Sequence, residues 1–552
     1  MSFLKLPLGI DRFEKLRGDN YFYVDKTGLI PDLLQQEFEV RLFTRPRRFG
    51  KTLTMSMLAN FFDVRKDSKG IFTGLQVCAH HELCAAWMNQ YPVLFLSFKD
   101  VESVDFKGAY GLLQYVIAKL CKEHAYLEGS ARVDPTDQEI FLRIKKQQGD
   151  STDTKTALDT LMRMMYAHYT KPVILLIDEY DVPLAKASEN GYYLEMLDVM
   201  RSLLGLALKT NPALKFAVVT GCLRIAKESI FTGTNNLVAN SIMDTAFSNS
   251  FGFTKGEVNA LLKSAGLIGH APAIQKWYDG YRFGKQEIYC PWDLLCYVAA
   301  LQQDAGAIPV NYWENTSHNG IIRSFIDRTD LAVNRKFELL LNGGYITEAV
   351  TDNLTYDMLH ASEENLWSVL YLTGYLTITD MEPAEKGKVC LKIPNSEIES
   401  IFEKTVVQWF SEKVKPVVRS QLFGAMWRGD AEHASQILSD LLFQTISYHD
   451  YHEDYYHAFL TGIFAGAGYP TQSNREHGLG RPDIVIWDDA NRSAILIEAK
   501  RVDRASALEA GCDAALAQIK AERYAKDFLD GYRTIRCYGI AFYKKSCLLK
   551  ML

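Results

Sequence analysis

The chain has 552 residues, of which 48% are hydrophobic and 23% charged, with a formal net charge of −6. That length exceeds one ordinary core, so two to four domains are expected. The slight acidity excludes a histone-like or coating role and leaves any nucleic-acid contact to a local basic groove. No apolar run approaches the roughly 18 residues of a membrane span, and "MSFLKLPLGIDRF" holds no signal-peptide core. The ten cysteines show no CxxC spacing and read as reduced thiols, so a cytoplasmic location is expected.

From about residue 40 to 220, apolar β-type runs alternate with helical stretches, the pattern of a parallel α/β sheet. "VRLFT" (40–44) predicts a strand, and "TLTMSMLANFF" predicts the helix after it. "YPVLFLSF" (91–98), "KPVILLIDEYD" (171–181) and "KFAVVTG" (215–221) predict three more strands, separated by helical segments. Their unbroken apolar character fits strands buried on both faces. From about 236 to 435 the pattern is mainly helical and rich in Trp and Tyr, with "WYDGYRFG", "YCPWDLL" and "NYWENTSHNGII" as landmarks. The last part holds a helix ("YYHAFLTGIFAGAG"), a strand pair around "RPDIVIWDDANRSAILIEAK", a long helix and a strand in "IRCYGIAFYKK".

The turn between the first strand and helix, "RPRRFGKT", carries Gly50, Lys51 and Thr52 in phosphate-loop register, but Arg45 stands where GxxxxGK[ST] has its first glycine. Lys51 would supply the phosphate cation and Thr52 a magnesium ligand. Asp178, at the tip of the run "VILLID", would hold the same magnesium, and Glu179 would polarise the attacking water. Arg45, Arg47 and Arg48 either face the anion or are paired with acids. Thr220 ends a further strand and Arg224 follows it; they sense the terminal phosphate, or they cap a strand and sit on the surface.

"LPLGIDRFEKLRGDNYFYVDKTGLI", "RPRRFGKTLTMSML", "LLIDEYDVPL" and "VVTGCLRIAKESIFTGTNNL", with "WYDGYRFG" and "YCPWDLL", together resemble the bacterial AAA-ATPase-like family. Its members often carry a C-terminal PD-(D/E)XK nuclease-superfamily domain. The family writes its loop as PRRFGKT, so Arg45 is not peculiar to this chain. The resemblance implies nucleotide binding at Gly50, Lys51 and Thr52 and an acidic pair at Asp178 and Glu179.

Near the C-terminus, "DIVIW" and "SAILIEAK" predict a hairpin in which Trp487 faces Ala494, Val485 faces Leu496 and Asp483 faces Glu498. Opposed residues have Cβ atoms about 4.5–5.5 Å apart, close enough for two carboxylates to share a divalent cation. Period two adds Lys500 to the face of Glu498. Asp483, Glu498 and the carbonyl of Ala499 would bind Mg²⁺ or Mn²⁺, with Lys500 positioning the water. The D…ExK pattern matches that of PD-(D/E)XK nucleases. Gln518 and Tyr524, in "QIKAERY", match that family's QxxxxxY stretch and would line the site. Glu476 is a candidate extra ligand, and Arg475, Arg481, Arg501 and Arg504 candidate phosphate contacts. The central aromatics read as packing rather than a base-stacking surface, and the histidines show no ligand pairing.

The expected fold class is α/β: a P-loop NTPase parallel sheet over 1–235, a mainly helical lid or transmitter over 236–435, and a restriction-endonuclease-like domain over 436–552. The expected function is ATP binding and hydrolysis coupled to a metal-dependent nuclease acting on nucleic acid, DNA by preference. The competing expectation is an ATP-driven switch whose nuclease-like domain grips nucleic acid without cutting it.

Overall fold

Five short apolar runs build one parallel sheet: β1 (Val40–Thr44), β2 (Val93–Ser97), β3 (Val173–Asp178), β4 (Leu214–Gly221) and β5 (Leu237–Asn240). Their spatial order is β2-β3-β4-β1-β5. The computed structural model describes residues 4–224, 236–313, 336–445 and 482–552, excepting 338, 342, 353, 355–361, 384, 414–415 and 529–530. Between 445 and 482 it describes only 456, 459–460, 463 and 471–473.

Every position of β1 and β3 is buried, as unbroken apolar runs require in a sheet covered on both faces. Helix α1 (Lys51–Phe62) follows β1, and α2 (Phe106–Glu123), α3 (Ser151–Tyr169) and α4 (Tyr193–Leu208) pack on the sheet. Leu42, Leu94, Leu175 and Val219 meet Leu113, Leu158 and Leu203 in one core. The entry of α3 is fixed locally: the Asp150 carboxylate accepts from Asp153 N, and the Asp153 carboxylate returns the contact to Asp150 N. The fifth strand, β5, was not among the expected ones. Its run "LVAN" is four residues long and half-exposed at the sheet edge, too short to show a period.

Strand order decides where the chemistry goes. With β4 lying between β1 and β3, the register pairs Phe43 with Thr220 and Ser97 with Asp178. The tips of β1, β2, β3 and β4 therefore end along one edge of the sheet, beside the N-terminus of α1.

The chain divides into two compact units: Met1–Asn315 with Thr347–Glu397, and Thr316–Ile346 with Ile398–Leu552. The expected boundaries at 235 and 435 do not coincide with this division. Aromatic packing explains why the segment after 235 stays with the parallel sheet. Phe49 of the loop before α1 packs on Tyr281 and Phe283 of "WYDGYRFG", with ring centroids 5.1 Å apart in both cases. Tyr278, Tyr281, Phe283 and Trp313 are all buried. The central aromatics thus build core, with helix α5 (Pro291–Gln303) among them.

In the second unit, β6 (Thr471–Ser473), β7 (Ile484–Asp488), β8 (Ser493–Arg501), β9 (Thr534–Tyr543) and β10 (Ser546–Met551) form a mixed sheet in chain order. β8 and β9 are parallel, and helix α6 (Leu508–Ala521) makes the crossover between them. Ala494 and Leu496 of β8 pack with Leu516, Ile519 and Tyr524. The helix expected in "YYHAFLTGIFAGAG" lies almost wholly outside the described residues, as do Glu476, Arg475 and Arg481.

Candidate functional site

The loop before α1 turns on Gly50, which has φ 85° and caps the helix in the left-handed region. No side chain caps α1, so the N–H groups of its first turn point outward as anion donors. A Cβ at Gly50 would touch nothing; the backbone angle alone demands glycine. Gly50→Ala is therefore expected to lower stability by about 1–2 kcal/mol, read as a shift in urea denaturation.

Lys51 is buried. Its ammonium donates to the carbonyls of Arg45 and Pro46, both at 3.1 Å, and lies 3.6 Å from Glu179. Burial pulls its pKa down, but the Cys222 sulfur and the acids Glu179, Asp181 and Asp178 around it outweigh that and raise it. Thr52 Oγ1 donates to Asp178 Oδ2 at 2.8 Å, and Thr220 Oγ1 to Asp178 Oδ1 at 2.6 Å. Ser97 Oγ adds a third contact to Oδ2 at 3.3 Å. Burial, then the charge of Glu179, push the Asp178 carboxyl above its usual range, while the hydroxyls and Lys51 oppose the shift. Gly50, Lys51, Thr52, Asp178, Glu179 and Thr220 are thus brought together.

Glu179 itself sits at φ 54°, a strained angle for a non-glycine residue. Two residues on, Asp181 Oδ2 accepts from Cys222 N at 2.9 Å and Leu223 N at 3.0 Å. Tyr180 OH donates to Leu223 O at 2.8 Å. The turn after β3 therefore grips the turn after β4, and Gly221 leaves the room: a Cβ there would lie 2.6 Å from the Tyr180 ring.

The arginines separate. Arg45 is fully buried and donates to the carbonyls of Thr44 and Asn240, at 2.8 and 2.9 Å, and of Phe247 at 3.3 Å. Its guanidinium lies over the rings of Phe251 and Phe283, and burial lowers its pKa to about 10. In the place of the missing glycine, this side chain ties the loop down from inside. Arg48 turns to the helical segment, donating to Tyr312 O at 2.9 Å. Arg47 is half-buried, and its charge reaches Cys222. Arg224 donates to Asp352 at 3.2 Å.

A cavity of about 330 Å³ opens beside this cluster, lined by Gly50, Lys51, Thr52 and Glu179 together with Ile10, Tyr23, Phe253 and Trp292. Sequence reasoning missed Ser97, Asp181 and the cavity role of the N-terminal segment. The first two carried a visible signal: each is a polar residue at or just past the end of a buried strand.

In the second unit the expected register holds. Trp487 pairs with Ala494, Val485 with Leu496 and Ile484 with Ile497, which sets Asp483, just before β7, opposite Glu498. Asp483 Oδ2 accepts from Ala499 N at 2.7 Å, which holds the aspartate beside the residue whose carbonyl was the expected further ligand. Lys500 Nζ donates to Glu498 Oε1 at 3.0 Å. Glu498 is 2% exposed, and its Oε2 has no hydrogen-bond partner among the described residues. Burial, then the charge of Asp483, raise its pKa to about 7, against the pull of Lys500. Gln518 Nε2 donates to Tyr524 OH at 3.2 Å, and Tyr524 feels the charges of Glu498 and Asp483.

An orphaned buried carboxylate oxygen beside a second carboxylate fits a divalent cation, because a cation satisfies both lone-pair sets at once. Among the described residues no group of three or more His, Cys, Asp or Glu side chains forms a cage, so Asp483 and Glu498 are the donors in view. Among the same residues, no helix is long and apolar enough to cross a membrane.

Known proteins bear on both sites. Residues 7–231 match the predicted AAA-ATPase family, and residues 451–551 match the PD-(D/E)XK nuclease superfamily. The whole chain is also similar to an uncharacterized protein in the vnfD 5' region of Azotobacter chroococcum mcd 1. The two are 28% identical over 559 residues, covering 99% of this chain and 98% of that protein. The chain thus joins an AAA-ATPase-like domain to a PD-(D/E)XK nuclease-superfamily domain.

Proposed function

We propose that the protein binds and hydrolyses ATP in the first unit and uses the nucleotide state to control metal-dependent cleavage of a nucleic-acid phosphodiester in the second. The observation that supports it most directly is that one chain holds two clusters of acid and lysine at sheet edges, each with the donor set for a phosphate-bound cation.

In the first unit, Lys51 and the N–H groups of the first turn of α1 receive the phosphates. Thr52 and Asp178, already joined by a hydrogen bond, would hold Mg²⁺, and the nucleoside would occupy the adjoining cavity. Mg²⁺ supplies charge neutralisation on the terminal phosphates. Glu179 is placed to orient the attacking water, and Thr220 reports the terminal phosphate through Asp178. Arg47 and Arg224 would be further contacts of the bound nucleotide, reached by exchange of their present partners, whereas Arg48 stays on Tyr312 and Asp293.

In the second unit, Asp483 and Glu498 would hold Mg²⁺ or Mn²⁺, which supplies Lewis-acid polarisation of the phosphate and an acidified water. Lys500 orients that water and steadies the charge growing on phosphate. Gln518, fixed by Tyr524, lines the floor of the site. Incubation of the purified protein with plasmid and linear DNA, with Mg²⁺ or Mn²⁺ and with or without ATP, tests this. Cleavage that changes with ATP supports it, and none under any condition favours an ATP-driven switch that only grips nucleic acid.

The raised pKa of Glu498 gives an independent readout. An acid whose folded pKa lies above its unfolded one binds more protons when folded, so its contribution to stability falls as pH rises from 4.5 to about 7. A divalent cation reverses that loss by binding the ionised form. Mn²⁺ is therefore expected to raise the melting temperature of the wild type more at pH 8 than at pH 5.5. Glu498→Gln removes this pH-dependent gain and is itself more stable than the wild type at pH 8 without metal. Equal Mn²⁺ gains at both pH values would contradict a cation on Glu498.

A further inference from the structure

Arg48 belongs to the phosphate loop by its backbone and to the helical segment by its side chain. Its φ of 71° lies in the left-handed region, where an arginine stays only if its surroundings hold it. The guanidinium is held on three sides. It donates to Tyr312 O at 2.9 Å, lies 3.8 Å from Asp293 Oδ1, and stands over the Trp292 ring at 4.8 Å. Arg48 and Trp292 both line the cavity that Lys51 and Thr52 line.

Asp293, in the first turn of α5, is fully buried. Its carboxyl interacts directly with that of Glu397, also buried. Two buried carboxyls in contact cannot both ionise, so they share a proton. Burial, then the charge of Asp293, push Glu397 up to about 9, and burial raises Asp293 as well, so the pair carries at most one negative charge, with Arg48 3.8 Å from Asp293 Oδ1. Glu397 Oε1 accepts from Tyr312 N at 2.6 Å and Trp313 N at 3.0 Å. Asn311 Nδ2 also donates to Glu397 O at 3.3 Å.

The place of these residues in the chain gives the contacts meaning. The first unit ends its first segment at Asn315 and its second at Glu397, and the second unit resumes at Thr316 and Ile398. Glu397 therefore ties together two of the points at which the chain leaves the unit that holds the phosphate loop.

We infer that Asp293 is a positioning residue for the phosphate loop, and that the chain Arg48–Asp293–Glu397 carries nucleotide occupancy to the crossings after Asn315 and Glu397. This rests on the ATP reading above. Phosphate held on the first-turn N–H groups of α1 pulls on the same short loop that carries Arg48, and Arg48 is the strut that passes such a pull to Asp293. Coupling of this kind is reciprocal: what ATP does to the clamp, loss of the clamp does to ATP affinity by the same factor.

Hydrogen exchange on the full chain tests it, read at the Tyr312 and Trp313 amides with and without ATP and Mg²⁺, alongside ATP affinity by calorimetry. In the wild type, ATP is expected to change exchange at these two amides by several-fold. In Asp293→Asn and Arg48→Gln, ATP still binds, with affinity altered several-fold, but exchange there no longer responds. Lys51→Ala, which loses ATP, loses the response with it. Should Asp293→Asn fail to fold, Arg48→Gln carries the same comparison at a partly exposed position. Wild-type protein that binds ATP with no change at these amides, or variants that keep the full response, overturn the relay alone. Wild-type protein that binds no ATP overturns the ATP reading and the relay with it.

Discussion

Lys51→Ala is expected to weaken ATP binding by about 2–5 kcal/mol, the range for truncating one partner of a buried charge pair, or roughly thirty- to several-thousand-fold. The size follows from the surroundings of the ammonium. Lys51 is buried, and its partners are two loop carbonyls and a cluster of acids. Removing it leaves Glu179, Asp178 and Asp181 without their shared cation, in a place where a polyphosphate would add still more negative charge. Binding of a fluorescent ATP analogue measures the loss. The same variant should keep most of its fold, because the sheet core lies on other residues. Affinity for ATP unchanged in Lys51→Ala would mean that the loop is not a phosphate site.

Lys500→Ala is expected to lower the rate of phosphodiester cleavage by about 10²–10³-fold, as loss of one preorganised charge at a developing oxyanion does. Its position explains why so much depends on one side chain. β8 places Lys500 on the face of Glu498 by period two, and the ammonium meets Glu498 Oε1 at 3.0 Å. It is 28% exposed while Glu498 is 2% exposed. The lysine is thus the group of the pair that can reach substrate, and the glutamate is the one that can reach only a small cation. Cleavage rates on plasmid DNA in saturating Mn²⁺, at fixed protein, give the comparison. A Lys500→Ala protein that cuts at the wild-type rate would remove this lysine from the chemistry.

Much of this was legible in the residues because the strands concerned are short, apolar and buried. "VRLFT" became β1 without a shift of boundary, and the Trp487–Ala494 and Val485–Leu496 pairs were readable from a single turn and period two. The meeting of Thr52 with Asp178 was readable from the motif and the strand tip together. What stayed hidden depends on contacts far apart in sequence. Arg45 looked like a charge for the anion, yet it lies in the core under Asn240 and Phe247, about 200 residues on. Arg48 looked the same and turned to Asp293. A side chain of either kind has the same local sequence signal; only tertiary packing decides which carbonyls or rings it meets. The division of the chain was hidden for a similar reason, since the packing of Phe49 on Tyr281 and Phe283 is invisible to composition.

The most direct measurement is DNA cleavage by the full chain with Mg²⁺ or Mn²⁺, compared with and without ATP in the wild type, Lys51→Ala and Lys500→Ala. Control of one site by the other predicts that ATP changes cleavage by the wild type, that Lys51→Ala no longer responds to ATP, and that Lys500→Ala cuts about 10²–10³-fold more slowly in either condition. Cutting that ignores ATP and is identical in Lys51→Ala, or that keeps the wild-type rate in Lys500→Ala, would contradict it.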